Sequence, residues 1–141
     1  MAVSKSPHPL ELALRILGLV DLLALLAVFM PRHWMEVGNA WSGLGELPLG
    51  PLVGYLARSA SALYGLHGAM ILFISFDVNR YERLITFLAA AALVHAGIML
   101  GIDLNEGMPT WWTLVEAPGF AATGAVVLVL QALSNKKTEQ A

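Results

Sequence analysis

Cysteine is missing from all 141 residues, which removes disulfides, thiolate zinc sites and iron-sulfur clusters and says nothing about redox compartment. Any metal or haem would have to be held by histidine or carboxylate. Charge is also scarce. Only 13% of residues are charged, against roughly 25% in soluble domains. With a formal net charge of -2 and no Lys/Arg stripe long enough to follow a phosphate backbone, nucleic acid is set aside as a partner. No Walker loop, dinucleotide fingerprint, nucleophile elbow or metalloprotease helix occurs. The sequence therefore offers no strong warrant for catalysis, and neither a cofactor nor a metal is expected.

Apolar residues are plentiful, at 57% of the chain with a mean hydropathy of +0.69, and their runs are as long as bilayer spans. Residues 10–30, at about 1.5 Å per residue, cover roughly the 30 Å of a hydrocarbon core. Lys5 precedes this run as in a signal peptide, but Glu11, Arg15 and Asp21 interrupt it, so it is kept as the first helix. Three further spans follow at residues 52–76, 84–102 and 111–133. The expected fold is all-α, an integral membrane four-helix bundle forming a single transmembrane domain over residues 1–141. Between the first two spans, Trp34 and Trp41 fall seven residues apart beside Val37, a spacing that predicts a short interfacial helix in the headgroup region. Asp77 and Asn79 mark a turn before the third span, DLNEGMP a loop after it, and Pro109 a first residue for the fourth. The lead to Pro9 and the tail SNKKTEQA read as polar and unstructured.

Basic residues set the orientation. Lys5, Arg80, Arg83, Lys136 and Lys137 fall on one side, whereas the opposite loops hold only Arg32. Both termini are expected in the cytoplasm. The other side carries Glu36, Glu46, Asp103, Glu106 and all four tryptophans, an aromatic belt.

A charge at the bilayer centre costs on the order of 2.5 to 3.5 kcal/mol, so each one needs a partner or a route to water. Counting depth from the outer boundary pairs Arg58 with Glu116, with Asp103 close enough to join them, and pairs Asp21 with His95. Either pair reads as a structural tie or as a ligand-binding or proton-exchanging site. Arg15 can reach Glu11 or snorkel. Pro118 frees a carbonyl beside Glu116 and invites a kink. His67 lies about 180° round its helix from Arg58, facing a second protomer or another subunit. His67 and His95 differ in depth by roughly 7 Å, and packed helices at 8 to 10 Å leave no room for a porphyrin, so a bis-histidine haem is not expected. The small residues Ala57, Ser61, Gly65 and Ala69 recur every fourth position as a packing or partner stripe on the second span.

The Trp-containing loop after Pro31, Arg58 ahead of Gly65 and Gly68, IDLNEGMP closing the third span and Glu116 early in the fourth resemble the small bacterial four-helix membrane proteins of the DoxX-like type. The resemblance implies a bundle in a bacterial inner membrane and an association with respiratory or quinone-linked redox functions. No quinone or haem motif carries over at residue level. The expected function is a non-catalytic accessory or self-associating membrane subunit, with membrane lipids, a homo-oligomer or a larger membrane complex as partners. The alternative is a component that binds a quinone or lipid in an outer-leaflet site lined by Arg58, His95, Asp103 and Glu116.

Overall fold

The computed structural model describes residues 9–139, and the polar lead with Lys5 and the last two residues lie outside them. The described residues are helical with no strand: α1 Pro9–Leu23, α2 Leu25–Val28, α3 Arg32–Trp41, α4 Pro51–Ile74, α5 Glu82–Glu106 and α6 Thr110–Glu139. Two of these, α5 and α6, are long and apolar enough to cross a membrane. The first run, α1 with α2, meets that standard together with α3, but α3 turns away from it by 120°. At 24 residues α4 has the length, yet Arg58, Ser59, Ser61, Tyr64 and His67 dilute its hydropathy.

The predicted spans coincide with helices, and the differences are local. The first run breaks at Ala24, which stands between α1 and α2. The predicted loop at Asp103 is helical for another turn, because the stop is Gly107. This glycine adopts the left-handed conformation (φ 66°, ψ 39°), and its N–H donates to the Asp103 carbonyl, closing the helix as only a residue without a Cβ does cheaply. Pro109 stands just before α6, its carbonyl accepting from Trp112 and Thr113. The helix then runs unbroken through Pro118. It also continues through most of the tail expected to be unstructured, tied to α5 where Asn135 Nδ2 donates to Glu82 Oε1 at 2.6 Å. The Asp77 turn forms as read, with Asp77 Oδ1 accepting from the Arg80 N–H.

Packing follows from where side chains are small. Helix α1 runs antiparallel along α4, and α5 along α6, and the two hairpins meet chiefly through α1 and α6. Although joined by a short turn, α4 and α5 do not pack along one another. The core gathers at the turn end, where Leu10, Leu14, Ile71, Ile74, Ile85 and Val127 are buried together. Gln131, buried beside them, donates to the Glu82 carbonyl and accepts from Thr86 Oγ1, locking α6 to the start of α5. At the far end, Trp111 Nε1 donates to the Ser42 carbonyl, bringing the α3 corner against the start of α6. The apolar face of α3 is left uncovered: Trp34, Val37 and Trp41 are all exposed.

Candidate functional site

Two helices that diverge from a packed end leave space between them. Above the core lies a cleft of about 630 Å³ with walls from α1, α4, α5 and α6. Most of its lining is aliphatic, and its polar members are Asp21, Tyr64, His67, His95 and Thr123.

The shortest polar contact in the cleft joins α1 to α4, with His67 Nδ1 2.7 Å from Asp21 Oδ2. The pair forms because the two helices touch here. A Cβ placed on Gly68 would stand 2.6 Å from the Gly18 carbonyl oxygen and 2.6 Å from the Leu22 nitrogen, so only glycine permits this approach. A hydrogen bond in such apolar surroundings is stronger than in water. With Nδ1 engaged, the free nitrogen of His67 is Nε2.

The sequence matched Asp21 with His95 by depth. His95 instead packs edge-on against Phe120 at 4.6 Å between ring centroids, because the neighbour of α1 is α4. His67 lines the cleft and bonds Asp21, while its side chain stays 45% exposed. Both histidines line one cleft, so the helices bearing them are not closely packed as the argument against a ring between them assumed. Among the described residues, no three His, Asp or Glu side chains converge as a metal site would require.

Arg58 and Glu116 are not paired. The guanidinium donates to three backbone carbonyls, from Nε to Val28 at 3.0 Å, from Nη2 to Met30 at 3.0 Å and from Nη1 to Gly54 at 3.3 Å. These include carbonyls that the end of α2 leaves without intrahelical donors, which a five-donor fork satisfies at once. Glu116 accepts from Trp112 Nε1 at 2.7 Å, one turn back on its own helix. Asp103 is 2% exposed, and its Oδ2 has no hydrogen-bond partner among the described residues. It joins neither Arg58 nor Glu116, and neither it nor those two line the cleft. Arg15 meets Glu11 at 3.9 Å and lies over the Phe76 ring.

The small-residue stripe divides. Gly65 is buried against Leu25, whereas Ala57 and Ala69 are exposed and Ser61 donates to the Ala57 carbonyl within its own helix. The face that meets the first run is Gly68 against α1 and Gly65 against α2, rotated from the predicted line. Tyr64 and Thr123 were not among the predicted site residues. Tyr64 stands one turn from His67, a spacing visible in the sequence, while Thr123 carried no signal that separated it from other helix hydroxyls. No protein family, curated protein or solved structure matches this chain.

Proposed function

We propose that this is a multi-pass protein of a bacterial inner membrane, four spans with both termini in the cytoplasm, whose interhelical cleft binds an amphiphile of the quinone or lipid class. The observation that carries this reading is the cleft itself, about 630 Å³ of largely aliphatic wall with the Asp21–His67 pair set in it. Sites for small apolar molecules have this character, a concave apolar lining with a few convergent polar groups. The membrane reading is supported by the apolar length of α5 and α6 and by the basic bias of the turn end. The exposed Trp34, Val37 and Trp41 face suits an interfacial α3. Arg58, bound to backbone carbonyls, has no role at the head of the ligand.

The test is extraction. Protein purified in mild detergent from its native membrane is expected to carry a quinone or lipid, identified by mass spectrometry. Ala92→Trp, which fills part of the cleft, is expected to remove that molecule while leaving the helical signal intact. Protein that carries no amphiphile and binds none added would end the proposal.

A second reading, an accessory or self-associating subunit, draws on one observation: Ala57 and Ala69 remain uncovered on α4. Crosslinking in native membranes through Ala57→Cys is expected to capture a second copy or another subunit. Labelling by lipid-phase reagents alone would leave that face to the bilayer.

A further inference from the structure

We infer that the cleft selects an uncharged amphiphile with a hydroxyl or carbonyl head and rejects anionic lipids and fatty acids, an inference that rests on the amphiphile-binding reading above. No lysine or arginine lines the cleft among the described residues. Of the two arginines nearest to it in sequence, Arg58 is spent on the carbonyls of Val28, Met30 and Gly54, and Arg15 lies outside the wall, 3.9 Å from Glu11 and over the Phe76 ring, its Nε buried without a hydrogen-bond partner. A charge buried in apolar surroundings without a partner is strongly disfavoured. An anionic head would meet the Asp21 carboxylate, and any positive charge on His67 is already balanced by that carboxylate at 2.7 Å.

The cleft offers hydrogen bonds rather than charge. His67 Nε2, the His95 ring and the Tyr64 hydroxyl have no hydrogen-bond partner among the described residues, and Thr123 Oγ1 already donates to the Gly119 carbonyl at 2.9 Å. Imidazole nitrogens and a phenol serve as donors or acceptors for an alcohol or a carbonyl. Space for the tail adjoins the cleft. A shallow groove along the outer side of α5, between Phe87, Ala90, Val94 and Ile98, shares Ala91 and His95 with it. A molecule dissolved in the bilayer can therefore lie along α5 with its head turned inward past His95, through the gap where α4 and α5 do not pack.

Two probes with one chain and different heads test this: radiolabelled oleyl alcohol and oleate, in equilibrium binding to the full chain in mild detergent at mildly alkaline pH. Oleyl alcohol is expected to bind at least about tenfold more tightly than oleate, and its binding is expected to disappear in Ala92→Trp. Oleate binding as tightly as the alcohol overturns the inference and leaves the amphiphile reading standing. Absence of saturable binding for both overturns both readings. Asp21→Asn is expected to raise oleate affinity about fivefold or more relative to oleyl alcohol, since it removes the opposing charge. Thr123→Lys, which supplies a cation from α6, is expected to do the same should Asp21→Asn not fold. Unchanged discrimination in a folded variant of either kind counts against the electrostatic account.

Discussion

Gly68 on α4 and Gly18 on α1 meet backbone to backbone, so closely that a Cβ on Gly68 would fall 2.6 Å from the Gly18 carbonyl oxygen. Asp21 lies three positions beyond Gly18, and His67 is the neighbour of Gly68. The glycine contact therefore sets the distance at which the carboxylate and the imidazole meet.

Gly68→Ala must push α1 and α4 apart, since the atoms in the way are backbone and cannot rotate aside. A loss of about 1–3 kcal/mol is expected, as for other overpacked positions, read as a lower unfolding midpoint in detergent. Gly97→Ala is the control. Nothing lies within 4 Å of its Cβ position, and relief of the glycine penalty in a helix is expected to leave stability unchanged or raise it by up to about 1 kcal/mol. Equal losses at both sites would remove the close-approach argument.

Asp21 and His67 should be energetically coupled. A double-mutant cycle with Asp21→Ala and His67→Ala is expected to give an interaction of about 0.5–2 kcal/mol, the range for polar pairs between membrane helices. The same cycle between Asp21 and His95 is expected to give a value near zero. Coupling to His95 in place of His67 would restore the pairing suggested by depth alone.

Arg58 holds the corner between α2 and α3 through carbonyls, not through an acid. Arg58→Ala leaves part-buried carbonyls without donors, at a cost of about 1–3 kcal/mol. Proteolysis near Pro31 should accelerate. Arg58→Lys is expected to recover only part of the loss, because an ammonium cannot reproduce the planar fork. Glu116→Gln, by contrast, still accepts from Trp112 through its amide oxygen and is expected to change stability by less than about 0.5 kcal/mol. A large loss in Glu116→Gln with none in Arg58→Ala would contradict the assigned contacts.

The lack of cysteine makes single-cysteine labelling a clean test of orientation. Asn79→Cys in the α4–α5 turn is expected to resist membrane-impermeant maleimide in intact cells and to react once the membrane is opened. Glu46→Cys, between α3 and α4, is expected to react from outside. The reverse pattern would invert the proposed topology.

Much of the secondary structure was legible in residue order because apolar run length and turn chemistry are local. Trp34, Val37 and Trp41 marked α3, and Asp77 marked the turn. Gly107, not Asp103, ended α5, since a helix tolerates Asp and Asn near its end until a residue takes the left-handed conformation. Contacts between helices were less legible. Depth counting places two groups at one level of the bundle but does not say which helices are neighbours there, and so it joined Asp21 to His95 and Arg58 to Glu116. For Arg58 it looked only to a carboxylate. Arg58 shows that backbone carbonyls at a helix break serve a guanidinium equally well.

From the sequence alone came the helical class, the positions of the long apolar segments, the amphipathic α3 and the shortage of charge that points to a membrane, since each depends on neighbours within a few turns. Only the tertiary structure decided that α1 lies on α4, that Gly18 and Gly68 bring Asp21 to His67, and that α4 and α5 diverge to leave a cleft. Those outcomes depend on which small residues face each other across helices far apart in the chain, and no local periodicity carries that information.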